Sequence, residues 1–158
     1  MNIPSREQCL QIIKNNKTPS NIIEHCKAVC KVAEEVVQKL VKKGMKVNKE
    51  LVIAGALLHD VERHKENHVI VGANLLKKLG YPEVAKVISM HTLYKVEIEE
   101  NQPRTFEEKI VFYADKRVKN NKVVSLEERY DDLKERYNVD LNWEMEFTKK
   151  IEKELLQK

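Results

Sequence analysis

The sequence predicts an all-α fold, a compact bundle of about seven or eight helices, on three observations. Only four glycines and four prolines interrupt 158 residues. The apolar residues recur at spacings of three and four, which is the period of one helix face, and no alternating strand pattern competes. At 42% apolar, the chain is rich enough and of the right length for one domain with a real core, expected to span residues 1–158.

The first helix, near 5–15, opens on Ser5 with Gln8 three residues later, a capping box in which each side chain reaches the other's backbone. The second, near 20–43, carries Ile22, Cys26, Val29, Ala33, Val36 and Leu40 on one stripe and stops at Gly44. The third, near 48–62, is built on the longest apolar run, Leu51 to Leu58, far short of membrane-spanning length. The fourth, near 66–79, stops at Gly80, and the fifth, near 82–92, puts Val84, Val87 and Ile88 on one side. A polar, acidic loop from Lys95 to Arg104 precedes a sixth helix near 105–119, opened by Thr105 with Glu108. Ser125 with Glu128 opens the seventh, near 125–137. The last, near 142–157, aligns Trp143, Phe147, Ile151 and Leu155, a stripe read as core that is also suited to pairing in a homodimer.

Composition excludes several function classes. Met1 to Leu10 holds Arg6 and Glu7 and no apolar run, so no secretory leader is read there and a cytoplasmic location is expected. Three cysteines, Cys9, Cys26 and Cys30, are an odd number and argue against a disulfide framework. Cys26 and Cys30 stand one helical turn apart, and small core residues are preferred there over a redox or metal pair. The formal charge of +4 comes from 29 basic and 25 acidic residues mixed along the chain. That mixing describes a solvated surface, so neither a nucleic-acid polymer nor a membrane is expected as partner.

The informative residues are polar ones on faces the helical period assigns to the core. His25 lies between Ile22 and Val29, His91 follows Val84, Val87 and Ile88, and Asp115 falls between Val111 and Val118. A carboxylate on an apolar face must be paired, neutralised or bound to a metal, because isolated burial of its charge is very costly. Asp115 therefore asks for a cation. A lone core histidine makes no such demand, since one backbone carbonyl satisfies it. His59 and Asp60 close the buried run, and Gly55 with Ala56 one turn earlier is expected to leave room for an ion beside them.

Taken together, a helical His25, then His59-Asp60, then a distant Asp115 resembles the HD superfamily of metal-dependent phosphohydrolases. The similarity covers roughly Ser20 to Tyr137. His68 before Val69-Ile70-Val71-Gly72-Ala73, and His91-Thr92 further on, resemble the bimetallic HD branches, which include diadenosine polyphosphate hydrolases. The resemblance implies that His25, His59, Asp60 and Asp115 hold one metal, that His68 and His91 hold a second, and that Asp60 bridges them. Arg63 stands where those branches often carry lysine; it keeps the positive charge and can grip phosphate in a bidentate manner. Lys116 and Arg117 are further candidates for phosphate contact. His64 with His68 has zinc-binding spacing, but its polar surroundings argue for a solvent-facing ring.

Imidazole mixed with carboxylate favours one or two ions of manganese, iron, cobalt, nickel or zinc over magnesium or calcium. The expected activity is hydrolysis of a phosphoester or phosphoanhydride in a nucleotide or related small phosphorylated metabolite, with Asp60 and Arg63 as catalytic groups. Two other readings stand beside it: a di-iron oxygenase of HD type, and a nucleotide-binding module without turnover.

Overall fold

The computed structural model describes residues 1–157 and holds eight α-helices among them: α1 (Arg6–Asn15), α2 (Ser20–Lys42), α3 (Lys49–Leu58), α4 (His68–Lys78), α5 (Pro82–Ser89), α6 (Phe106–Asp115), α7 (Leu126–Tyr137) and α8 (Asn142–Leu156). The all-α class is as expected. Two of the three predicted capping boxes form, Ser5 with Gln8 and Thr105 with Glu108; at the third, Ser125 accepts from the Glu128 amide at 3.1 Å without the reciprocal bond. Gly44 and Gly80 end α2 and α4 with φ of +84° and +91°, a left-handed conformation that costs a glycine little.

The core is arranged around α3, which packs against α1, α2, α5 and α6. Seven of its residues, from Leu51 to Leu58, are buried. Full burial of Leu57 and Leu58 contributes about 2 kcal/mol each. Gly55 does not make room for an ion, as its sequence position suggested. A Cβ there would stand 2.7 Å from Val87 Cγ1 and 3.2 Å from Val111 Cγ2, so its hydrogen lets α5 and α6 close onto α3. No helix among the described residues is long and apolar enough to cross a membrane.

Several helices are shorter than their apolar period suggested, and each difference falls at a candidate ligand. α3 stops at Leu58 with His59 as its C-cap, and a run of turns carries the chain to α4. α5 stops at Ser89, and α6 stops at Asp115. Beyond α6 a small antiparallel hairpin forms, with Val118 opposite Val123 and Lys119 opposite Lys122. No strand was expected there. Val61 and Val118 are as buried as helical core residues, which is why the period ran on through them. Asn120 turns the hairpin at φ +56°, a left-handed conformation that asparagine tolerates. Trp143 also departs from expectation: it is 48% exposed and stacks flat on Phe147, while Thr148, Ile151 and Leu155 form the buried face of α8.

Candidate metal centre

The helix ends just described bring six ligand-type side chains together. His25 from α2, His59 and Asp60 from the end of α3, and Asp115 from the end of α6 form one group; Asp60, His68 and His91 form a second. Within each group the ligand atoms all lie within 4.8 Å of one another. His25 Nε2 is 3.0 Å and His59 Nε2 3.2 Å from Asp115 Oδ1. The same two nitrogens are 3.7 and 3.4 Å from Asp60 Oδ2. The other Asp60 oxygen, Oδ1, faces His91 Nε2 at 3.4 Å and His68 Nε2 at 3.8 Å. One carboxylate thus presents a separate oxygen to each group.

The imidazoles are aimed by main-chain carbonyls. His59 Nδ1 donates to the Ala56 carbonyl at 2.7 Å, His91 Nδ1 to Ile88 at 2.5 Å, and His25 Nδ1 to Asn120 at 2.6 Å. A carbonyl only accepts, so Nδ1 carries the hydrogen and Nε2 is left to face the carboxylates. The third of these carbonyls belongs to the hairpin turn that the sequence did not reveal.

Charge within the cluster is balanced by protons and by Lys116. Burial works against the Asp60 carboxylate, but the imidazoles of His59 and His91 override it and hold its pKa well below the ordinary range. Burial likewise opposes the charged form of Asp115, and Lys116, His25 and His59 together bring its pKa well below the usual value. His59 gives the complementary result: despite its burial, Asp60, Cys26 and Asp115 raise it well above an ordinary imidazole. His68 is lowered, by its own burial first and by Arg63 and its histidine neighbours, against the pull of Asp60. One buried atom of the cluster stays unsatisfied: Asp60 Oδ1 has no hydrogen-bond partner. An orphaned carboxylate oxygen facing two imidazole nitrogens is what a cation would satisfy, and the mixed nitrogen and oxygen donors fit a divalent metal.

The remaining candidates divide. Arg63 lines the cavity above the cluster and reaches His68 Nε2 and the Tyr137 hydroxyl, each at 3.2 Å. Lys116, expected to contact phosphate, is only 3% exposed; its ammonium donates to Asp115 Oδ2 at 2.7 Å and to the His91 carbonyl at 2.9 Å. It occupies one Asp115 oxygen and leaves the other to the histidines. Burial pulls its pKa down against the attraction of Asp115. Arg117 is drawn away from the cavity, with Nε donating to the Val124 carbonyl at 2.6 Å and a terminal nitrogen donating to the Tyr113 hydroxyl at 2.7 Å. The hairpin that follows α6 supplies that carbonyl and turns the guanidinium aside. His64 belongs to neither ligand group and stands 4.0 Å from Glu62. Glu62 is itself tied to Asn16 and Lys65, while Thr18 Oγ1 donates to the Val61 carbonyl at 2.9 Å, so the α1–α2 loop clamps the segment after Asp60.

The cluster floors a cavity of about 640 Å³. Sequence reasoning missed most of its far wall: Arg129, Leu133, Arg136 and Tyr137 from α7, and Asn120 with Asn121 from the hairpin. The α7 residues follow one helical row, a signal that was present but is indistinguishable from a solvated face until α7 is placed.

Known proteins are similar to this chain over most of its length. A tRNA (cytidine(56)-2'-O)-methyltransferase of Picrophilus torridus is 35% identical over 143 residues, covering 82% of this chain and 40% of that protein. A protein of the same description from Thermoplasma volcanium is 28% identical over 148 residues, 85% of this chain and 42% of its own length. The chain therefore spans about two-fifths of these two relatives. An uncharacterized protein of Methanocaldococcus jannaschii is 36% identical over 136 residues, 77% of this chain and 80% of that protein. No solved structure matches. The HD domain family model matches residues 22–119, a span that takes in every ligand of both groups from His25 to Asp115, and the chain belongs to that family.

Proposed function

We propose that this protein is a metal-dependent phosphohydrolase that cleaves a phosphoester or phosphoanhydride of a nucleotide or related small phosphorylated metabolite. The observation that carries the reading is Asp60, whose two oxygens face two separate histidine groups at the floor of a cavity bearing arginines. Such a set suits two divalent ions of the manganese-to-zinc series: His25, His59, Asp60 and Asp115 would hold one, and Asp60, His68 and His91 the other. When bound, they supply Lewis acidity for activating water and for neutralising phosphoryl oxygens.

The chain's own residues do the rest. The carbonyls of Ala56, Ile88 and Asn120 keep three imidazoles presenting Nε2. Lys116 fixes the Asp115 carboxylate and offsets its charge. Arg63 exchanges His68 for a phosphate oxygen when substrate enters, which frees the His68 lone pair and places a forked donor on the phosphoryl group. Its pKa, lowered by burial but raised more by Asp60 and Tyr137, keeps it charged throughout.

The test is metal analysis of the purified protein followed by phosphate release from mononucleotides, dinucleoside polyphosphates and cyclic dinucleotides. Because two relatives bear a tRNA methyltransferase description, RNA ends carrying 2'-, 3'- or cyclic phosphates belong in the panel. Asp60→Asn is expected to lose bound metal and at least about 100-fold in activity, more than removal of an outer-shell contact costs. Unchanged metal content and turnover in that variant would refute the reading. Oxygen-dependent turnover without phosphate release would replace it with an oxygenase.

A further inference from the structure

We infer that α7 carries a second anion subsite of the same cavity, so that the substrate bears a phosphate beyond the one held at the His/Asp cluster. The inference rests on the hydrolase reading for the first phosphate and on a separate set of residues for the second. Arg129, Leu133, Arg136 and Tyr137 all line the cavity from α7. Their spacing of four, three and one puts them on one side of the helix.

Asp132 organises the cationic members of this row. Its Oδ2 accepts from Arg136 at 2.9 Å and lies 3.7 Å from Arg129, and Lys119 Nζ lies 3.6 Å from its Oδ1. Three cations share one carboxylate, more positive charge than Asp132 neutralises. An ordinary helix-surface pair has its arginine in solvent, with water on every remaining N–H, and contributes little. Arg129 differs. Its side chain is 11% exposed, and its Nε is buried without a hydrogen-bond acceptor. A buried donor left unpaired is costly to keep, and it gains most from a ligand that brings an acceptor.

The chemistry selects phosphate. A guanidinium fork matches two oxygens of one phosphoryl group, and Arg129 sits on the cavity wall within the electrostatic reach of Lys116 beside Asp115. Arg136, with its side chain 44% exposed, stands nearer the mouth. A substrate with one phosphate at the cluster and another against α7 engages both sets of lining residues. A monophosphate leaves the α7 row unpaired.

The test uses a matched pair of non-hydrolysable probes, methylphosphonate and methylenediphosphonate, titrated calorimetrically into the protein as purified. The parent is expected to prefer the diphosphonate by about tenfold or more, the scale of one bidentate charge-assisted contact. Arg129→Met is expected to bring the two probes to within about twofold of each other while methylphosphonate binding holds. Arg136→Gln, at a more exposed position, is expected to remove part of the preference. A preference that survives both substitutions belongs to the His/Asp cluster and overturns the inference, as does a loss of affinity shared equally by the two probes. Neither probe is turned over, so absence of phosphohydrolase activity in the substrate panel bears on the proposed function and not on this subsite.

Discussion

Gly55→Ala tests whether the closeness of α5 and α6 to α3 sets the metal centre. The added Cβ would stand 2.7 Å from Val87 Cγ1 and 3.2 Å from Val111 Cγ2. Carbon atoms settle at about 3.5–4.0 Å, so α5 must give way by about 1 Å. Neither neighbour yields by rotation alone: Val87 and Val111 are buried and β-branched, with stiff χ1. Overpacking of this kind costs about 1–3 kcal/mol. For a chain of this size each kcal/mol lowers Tm by about 2–4 °C, which gives a fall of about 2–12 °C. The displaced α5 leads two residues on to His91, so metal at the His68–His91 group should weaken before metal at the His25–Asp115 group. Thermal unfolding with and without chelator, together with metal titration, reads both effects. Val87→Ala opens the space again, and the two substitutions are expected to couple favourably by about 0.5–3 kcal/mol. A Tm within about 1 °C of the parent, or strict additivity in the double variant, would sink the explanation of why glycine stands at this position.

Two other outcomes follow from the cluster. Lys116→Met leaves Asp115 without its nearest cation in a buried site and is expected to cost about 3–5 kcal/mol in denaturant unfolding; a cost below about 1 kcal/mol would mean that the histidines alone balance Asp115. In the chelated protein the raised pKa of His59 contributes stability that is fully present below about pH 6.5 and is lost as pH rises through its folded value. The lowered values of Asp60 and Asp115 contribute above about pH 4 and are lost as pH falls further. Metal competes with the His59 proton, so the metal-loaded protein is expected to gain stability over the pH range in which the chelated protein loses it; parallel profiles would refute the assignment.

Three of the six candidate ligand positions were legible from burial and helical period, whereas His59, Asp60 and His68 rested on the resemblance to the HD superfamily. His25, His91 and Asp115 sit at apolar spacings, and the fold brings those positions to one place. The direction in which a cation points was not legible. Lys116 and Arg117 are adjacent, yet one turns into the cluster to donate to Asp115 Oδ2 and the other donates to the Val124 carbonyl just past the hairpin. The hairpin was hidden for another reason: two-residue strands have no period to read. With it went the Asn120 carbonyl, which as a main-chain group leaves no trace in residue identity. Arg129 and Arg136 looked like surface charge, and only the placement of α7 over the cavity gives them a different setting.

Two of the hydrogen bonds that aim the imidazoles also close helices. The Ala56 carbonyl lies in the last turn of α3 and the Ile88 carbonyl in the last turn of α5, and each accepts from the imidazole three residues further along the chain. His59, the C-cap of α3, and His91, just past the end of α5, therefore bond the last turns of these helices through their rings while standing among the candidate metal ligands. Replacing either ring by alanine is expected to remove a candidate metal donor and one hydrogen bond from the end of a core helix in the same step. Glutamine or asparagine at these positions, able to keep a donor near the carbonyl, separates the two losses. The candidate metal centre and the ends of α3 and α5 thus share two hydrogen bonds, so a change at either ring reaches both.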